Sequence, residues 1–311
     1  MSEWAASKDG CKAELGRRVW WRAGLEDGSA MVNGLKLPAE FRERVEDILA
    51  GRAEPAPARH AATVAVLRDH PRHGLQAFLL RRVRSMAFAP GAYVFPGGAV
   101  DPRDGDATPA WAGRPPAEWG TAFKADETLA RELVCAAVRE TFEETLVLLA
   151  GPTGETVVDD TRGDDWEADR QALLDRSLSF AEFLGRRGLV LRADLLRPWA
   201  HWITPKIEPK RYDTRFFVAA MPEGQRARDV STEADRVAWV RPAEAAERAG
   251  RGEWMMLPPT IATLAELAEF DTVADVLAAR REIVVHEPEA EIIDGEAYLV
   301  LPESATPYPG G

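Results

Sequence analysis

Short apolar runs bounded by turn residues alternate with longer segments of helical spacing along most of this chain. Runs rich in Val, Leu, Phe and Trp predict strands at residues 63–67, 77–80, 93–95, 199–204, 212–219 and 236–240. Apolar residues recurring every three or four positions predict helices at residues 38–49, 133–150, 166–187, 243–249, 259–270 and 271–279. Two further runs, 283–285 and 297–301, predict a small strand pair near the end. This order of elements favours a mixed sheet between layers of helices.

The composition is typical of a globular protein. The 311 residues, 46% of them hydrophobic, suffice for one large domain with extensions or for two modest ones. No run of eighteen apolar residues predicts a membrane span, and residues 1–5 lack the basic and apolar regions of a signal peptide. With only Cys11 and Cys135, a disulfide framework is not expected. We therefore expect a cytoplasmic protein that does not associate with membranes.

The net charge of −12 argues against a protein built to bind long nucleic acids, and it does not exclude small anionic substrates. Two basic clusters are candidates for binding phosphates, since the guanidinium fork of Arg matches phosphoryl oxygens. The first contains Arg81, Arg82 and Arg84, and the second contains Lys206 and Arg211. An ordinary solvated loop or strand edge is the alternative interpretation of each cluster.

The most informative stretch of the chain is Arg-Glu-Thr-Phe-Glu-Glu at residues 139–144, which follows an apolar helical segment. Residues three and four apart are neighbours on a helix, so Glu140, Glu143 and Glu144 crowd one patch. Three close carboxylates repel one another, and a bound divalent cation would remove that repulsion. Hard oxygen ligands suit Mg²⁺ or Mn²⁺. Taken alone, the pattern also fits a solvated helix face.

The upstream stretch Tyr-Val-Phe-Pro-Gly-Gly at residues 93–98 favours the metal site over the solvated face. An apolar strand runs here into a Gly-Gly turn, where the backbone turns tightly and leaves room for a ligand or an ion. A strand, a Gly-Gly turn and a helix with Arg-Glu-x-x-Glu-Glu form a far more specific combination than either part alone.

This pairing resembles the box of the Nudix hydrolase family, in which a Gly and a Glu precede Arg-Glu-apolar-x-Glu-Glu-x-Gly. Gly98 matches the Gly, Asp104 stands at the first Glu position, and residues 139–144 match the core. Arg139 lies 41 positions after Gly98, so about 27 residues are inserted relative to the family pattern.

The inserted residues include two Trp and adjacent prolines, which predicts a loop rather than an extension of the helix. Thr141 occupies an apolar position of the family pattern, and Leu146 replaces the Gly that usually ends the helix. The helix is therefore expected to continue to residue 150 and to stop at Gly151-Pro152.

Further segments resemble the long-box Nudix proteins related to the peroxisomal coenzyme A diphosphatases of animals. The resemblance extends over residues 58–270 and is carried by residues 79–82, 86–98, 202–205, 211–217 and 254–267. Other coenzyme A-specific Nudix branches have an Arg at the position of Ala87, and a residue of the first basic cluster would have to replace it. The C-terminal Pro-Gly-Gly is not a peroxisomal address.

The resemblance implies an α/β fold, the Nudix α/β/α sandwich with a mixed central sheet, plus N-terminal helical and C-terminal extensions. Residues 1–57 are then an N-terminal extension and residues 58–250 the Nudix hydrolase domain, with the box insertion at 105–128. Residues 251–311 are a C-terminal helical segment and tail. Pairing into a homodimer through Trp20-Trp21 is one hypothesis, and an N-terminal helix folded onto its own domain is the other.

The resemblance also implies roles for individual residues. Glu140 and Glu144 are the first candidates for ligands of Mg²⁺ or Mn²⁺, with Glu143 adjoining them. Gly98 contributes backbone oxygen and space, and Arg139 orients the acidic cluster through an ion pair. Glu233 lies where some Nudix enzymes place another metal ligand or the base, and a plain surface Glu is the alternative.

The expected function is metal-dependent hydrolysis of a diphosphate linkage in a nucleoside diphosphate derivative, with coenzyme A or acyl-coenzyme A as candidate substrates. The alternatives are a Nudix hydrolase acting on ADP-ribose, NADH or nucleotide sugars, and a non-catalytic nucleotide-sensing module. A small diphosphate compound is the expected partner in each case, and no nucleic acid polymer is.

Overall fold

The computed structural model describes residues 34–85, 89–105, 108–228 and 234–300. Their helices are α1 Arg42–Leu49, α2 Pro116–Phe123, α3 Glu127–Thr145, α4 Asp164–Leu174, α5 Phe180–Arg187, α6 Pro242–Gly250, α7 Pro258–Leu267 and α8 Val273–Ala278. Their strands are β1 Gly34–Lys36, β2 Ala58–His70, β3 Gly74–Arg82, β4 Tyr93–Val94, β5 Gly97–Ala99, β6 Trp111–Ala112, β7 Ala150–Gly151, β8 Val190–Arg192, β9 Leu196–Ile203, β10 Arg211–Ala220, β11 Ala234–Val240, β12 Val285–His286, β13 Glu289–Ile293 and β14 Glu296–Val300.

The main sheet has the strand order β11-β3-β2-β10-β9-β12, and β2 and β10 run parallel while most other neighbours are antiparallel. Strands β2 and β3 pair with each other only near their hairpin, at Leu67–His70 and Gly74–Ala77. Beyond that point β4 pairs with β3 and β5 pairs with β2. The short β4–β5 segment therefore fills the gap between the two separating strands.

Both faces of this sheet are covered by helices. On one face, Ala62, Val64 and Phe78 belong to a buried cluster with α2 and α3. On the other face, Ala65, Leu67 and Leu79 pack with residues of α6, α7 and α8. Consecutive positions are buried along β2 and β3, and successive side chains of a strand point to opposite faces, so each strand contributes to both cores. The predicted mixed sheet between two helical layers is confirmed.

Helix α3 carries the acidic motif and is called the box helix below. It begins after Asp126, whose side chain accepts a hydrogen bond from Leu129 N, a typical N-cap. It ends at Thr145 rather than at residue 150, so the predicted end of this helix is wrong. Leu146 adopts a left-handed conformation (φ 60°), and its N–H donates to Phe142 O. A fully buried Leu thus occupies the conformation that usually selects Gly.

The helix end yields a stability prediction, because strain and burial oppose each other at Leu146. Leu146→Ala removes a buried side chain, at about 2–5 kcal/mol, and keeps a residue with a Cβ in the left-handed conformation. Leu146→Gly also loses the side chain but removes the left-handed strain, which is about 1 kcal/mol. Urea unfolding should therefore find both variants less stable than wild type, with Gly the less damaging. The reverse order would show that the strain at this position is negligible.

Two other sequence predictions need correction. The box insertion contains helix α2, which starts at Pro116, where the missing N–H of proline costs no helical hydrogen bond. The predicted pairing of residues 283–285 with 297–301 is also wrong. Strand β12 joins the main sheet beside β9, whereas β14 pairs with β13 and β1 in a separate three-stranded sheet.

The predicted helix at residues 38–49 is confirmed by α1 and the 3-10 turn Ala39–Phe41 before it. Val45 of α1 packs with Leu37, Ala297 and Ile207, so this helix lies on the small sheet and on the turn between β9 and β10. Trp20 and Trp21, on which the homodimer hypothesis rests, lie outside the described residues. Within the part of the chain that the structure describes, no helix is both long and apolar enough to cross a membrane.

Candidate active site

The Gly-Gly turn after β4 lies directly against the box helix. Gly97 N donates to Glu144 Oε2 at 2.9 Å. A Cβ on Gly98 would lie 2.6 Å from the carboxylate of Glu140, and a Cβ on Gly97 would overlap the Ala62 carbonyl oxygen. Both glycines are therefore required by close approach. The structure thus brings Gly98, Glu140 and Glu144 together, as the sequence predicts.

Arg139 is buried at the centre of the acidic motif. Its Nε and Nη2 donate to the two carboxylate oxygens of Asp104 at 2.9 and 3.0 Å. Its Nη1 donates to Glu140 Oε1 at 2.8 Å and to Glu143 Oε1 at 3.2 Å. Burial alone would lower the pKa of Arg139, but the carboxylates of Glu140 and Asp104 outweigh it and raise the pKa. This arrangement places a permanent positive charge among three carboxylates.

Burial shifts the pKa values of two of these carboxyl groups, Glu143 and Asp104. Burial raises the pKa of Glu143 to about 7, although Arg139 opposes that shift. Burial also raises the pKa of Asp104, again against the effect of Arg139. A carboxyl group with a pKa near neutrality can gain or lose a proton at working pH, which is the property required of a general acid or base.

A second arginine supports the box helix from behind. Arg170 of α4 is almost fully buried, and its Nη1 donates to the main-chain oxygen of Glu143 at 2.9 Å. Its Nε and Nη2 donate to the carboxylate of Glu167, at the i−3 position. Arg170 is not among the site residues predicted from the sequence. The Glu-x-x-Arg spacing within a predicted helix is the signal that could have indicated an ion pair there.

The predicted phosphate-binding residues do not converge in one place. Arg81 forms a two-pronged ion pair with Asp235 at 2.6 and 2.9 Å. Arg84 is exposed in the loop before β4, and Lys206 is exposed in the turn between β9 and β10. Arg211 donates to Thr204 O, Ala56 O and Glu287. The guanidinium groups of Arg81 and Arg211 are therefore engaged by the protein itself.

For three further positions that the sequence pattern singled out, the structure gives main-chain contacts of one and does not describe the other two. The main chain of Arg82 pairs with the loop before β4, through Arg82 N to Ala92 O and Gly91 N to Arg82 O. Glu233, the candidate fourth ligand or base, lies outside the described residues, and so does Ala87. The roles assigned to these positions stay predictions.

The candidate metal ligands of the box helix, Glu140, Glu143 and Glu144, each accept a hydrogen bond from the protein. Among the residues that the structure describes, no three His, Cys, Asp or Glu side chains are grouped so as to hold a metal ion. Glu140 and Glu143 are instead turned to Arg139, and Glu144 to Gly97 N. The donors nevertheless fit Mg²⁺ or Mn²⁺ chemically, because they are hard carboxylate oxygens. The glycine turn beside Glu140 leaves no side chain to block an ion.

Comparison with known proteins places this geometry in a family context. The model of the NUDT19 Nudix domain matches residues 114–267. The acyl-coenzyme A diphosphatase NUDT19 of Gallus gallus is 30% identical over 244 residues, covering 64% of this chain and 62% of that protein. The human protein of the same name is 27% identical over 277 residues, covering 77% and 72%. A nudix hydrolase of Caenorhabditis elegans is 26% identical over 194 residues, covering 62% and 56%. The chain thus spans less than two thirds of the length of the chicken and nematode relatives.

A solved structure gives a similar result for the fold. The crystal structure of a NUDIX hydrolase from Alicyclobacillus acidocaldarius superposes with a TM-score of 0.60 at 28% identity. The superposition covers 73% of this chain and 98% of that structure. The similarity therefore extends over nearly all of the bacterial protein and leaves about a quarter of this chain outside it.

Proposed function

Because this chain belongs to the Nudix family, we propose that it is a metal-dependent hydrolase that cleaves the diphosphate linkage of a nucleoside diphosphate derivative. The observation that carries the proposal is the contact of the Gly97-Gly98 turn with Glu140 and Glu144 of the box helix. Coenzyme A or acyl-coenzyme A is the proposed substrate, supported by the activity named for the chicken and human relatives.

The charged residues of the site would have different roles in the reaction. Glu140 and Glu144, with Glu143 beside them, would hold Mg²⁺ or Mn²⁺, which when bound neutralises diphosphate charge and activates water. Arg139 would hold the carboxylates in place without touching substrate, since Asp104, Glu140 and Glu143 already accept its hydrogen bonds. A carboxylate of this cluster would accept the proton of the attacking water.

The basic loop before β4 is the proposed site for the phosphates or for an anionic group attached to them. Arg84 is exposed there and adjoins the segment that leads to the glycine turn. The guanidinium of Arg211, by contrast, is occupied by two carbonyl oxygens and Glu287, so a supporting role for the β10 start is the better proposal for that residue.

The test is hydrolysis of a panel containing coenzyme A, acyl-coenzyme A, NADH, ADP-ribose and nucleotide sugars, with Mg²⁺ or Mn²⁺ and with a chelator. We expect metal-dependent release of phosphopantetheine from coenzyme A compounds. Cleavage of ADP-ribose or a nucleotide sugar instead would keep the chemistry and replace the substrate. A folded protein that cleaves none of the panel would favour a non-catalytic nucleotide-binding module.

A further inference from the structure

The last turn of the box helix lacks part of its usual hydrogen bonding. In a regular helix, Val147 N would donate to Glu143 O, four residues earlier. Val147 N donates instead to Thr145 Oγ1 at 3.0 Å, because the left-handed conformation of Leu146 turns the chain out of the helix. The carbonyl oxygen of Glu143 therefore needs a donor from outside the helix.

Arg170 provides that donor. Its Nη1 donates to Glu143 O at 2.9 Å, and the residue is only 2% exposed. Its Nε and Nη2 donate to the two carboxylate oxygens of Glu167 at 2.8 and 2.7 Å. Because a guanidinium is planar and its donors are fixed relative to one another, a forked ion pair on one edge determines where the third nitrogen points. Glu167 thus orients Nη1 of Arg170 toward the end of the box helix.

The charge of Arg170 also suits this place in the fold. The C-terminal end of a helix carries partial negative charge on its carbonyl groups, which disfavours carboxylates nearby. Glu140, Glu143 and Glu144 all lie at this end of the box helix. Arg139 compensates their carboxylates directly, whereas Arg170 compensates the main chain that carries them. The acidic patch is therefore held between two buried arginines with different targets.

We infer that Arg170 is a positioning residue of the metal site, which keeps the last turn of the box helix in the conformation that directs Glu143 and Glu144 to the cation. Its hydrogen bonds go to Glu143 O and to Glu167, so it acts on the cation only through the main chain. The same turn carries the contact of Glu144 with Gly97 N. This inference rests on the proposed function, because the cation is that of the proposed hydrolase.

Binding of Mn²⁺ to the full chain, measured by electron paramagnetic resonance without substrate, tests this inference. Arg170→Met keeps much of the apolar volume and removes every donor, so we expect about 10–100-fold weaker binding, the usual effect of losing an outer partner of a metal ligand. Glu167→Gln keeps Arg170 but removes the charge that orients it, and it should weaken binding less. In the double variant, Glu167→Gln should add nothing to Arg170→Met, since it acts through Arg170.

Hydrogen exchange of the amides of residues 140–146 reports directly on the helix end. Exchange should be faster in Arg170→Met and in Glu167→Gln than in wild type. Arg187→Met is the matched control, because Arg187 also forms ion pairs with α4, but its hydrogen bonds go to two aspartates there rather than to the box helix. This control should change neither Mn²⁺ affinity nor exchange at residues 140–146, even if urea unfolding shows a loss of stability.

The outcomes separate this inference from the proposed hydrolysis. Equal Mn²⁺ affinity in wild type, Arg170→Met and Glu167→Gln would overturn the inference and leave the hydrolysis untouched. Weaker Mn²⁺ binding by both variants, in a chain that cleaves none of the diphosphate panel, would support the inference and overturn the hydrolysis. A wild type that binds no Mn²⁺ overturns the inference, whether or not it cleaves the panel. If Arg170→Met does not fold, Glu167→Gln decides, because the Glu167 side chain is 40% exposed.

Discussion

Glu144→Gln is expected to reduce metal-dependent turnover on the order of 10³-fold while leaving the fold intact. The carboxamide has nearly the shape of the carboxylate, and its oxygen can still accept the hydrogen bond that Gly97 N donates to Glu144 at 2.9 Å. What the substitution removes is the negative charge that would hold a divalent cation. Initial rates at saturating Mg²⁺, together with thermal unfolding of both proteins, measure the two effects separately.

Glu127→Gln is the matched control for this variant, because Glu127 lies on the same helix but is exposed in its first turn. It should leave both turnover and unfolding temperature nearly unchanged. Full activity of the Glu144→Gln protein would remove Glu144 from the proposed site. A loss of activity accompanied by a large drop in unfolding temperature would instead assign Glu144 a structural role.

The acidic helix and the glycine turn could be predicted from sequence because both are local features. Helical periodicity places Glu140, Glu143 and Glu144 within one turn, whatever the rest of the chain does. The strand before the turn is equally visible as an apolar run. Gly98 and Glu140 are far apart in sequence, however, and only the resemblance to a known box indicated that they meet.

The end of the box helix shows where local signals are outweighed. No Gly follows Thr145, so helix-end chemistry predicted a continuation to residue 150. The structure ends the helix one residue later than Glu144 because the buried side chain of Leu146 stabilises a conformation that backbone preference alone disfavours. Tertiary packing decides this boundary, and a single sequence contains no direct record of it.

The sequence shows where charged residues lie along the chain, but it does not show which of them form ion pairs with each other. Arg81 looked like part of a phosphate-binding cluster, yet its ion pair is with Asp235, 154 positions away. Arg211 similarly pairs with Glu287, 76 positions away. Contacts at such separations depend on the strand order of the sheet, which no local pattern specifies. Sequence reasoning therefore located the charged groups without showing which of them the fold neutralises.

Arg139→Met is expected to lower the free energy of unfolding by about 3–5 kcal/mol, the usual cost of removing one partner from a buried ion pair. Met keeps much of the apolar volume, but Asp104, Glu140 and Glu143 lose the cation that their carboxylates share. Urea unfolding of the chelator-treated protein at pH 7 measures this cost. Asp104→Asn is the matched comparison, because it removes one buried charge rather than exposing three to mutual repulsion, and it should cost less.

The destabilisation by Arg139→Met should also depend on pH, with a sign set by the carboxyl groups. Burial already raises the pKa of Glu143 to about 7 and also raises that of Asp104, and losing Arg139 raises both further. A carboxyl group whose pKa is higher in the folded state loses stability as pH rises from its unfolded pKa toward its folded pKa. The deficit of the variant relative to wild type should therefore grow between pH 5 and pH 8. A deficit that stays constant over this range would mean that lost packing, rather than unpaired charge, accounts for the effect.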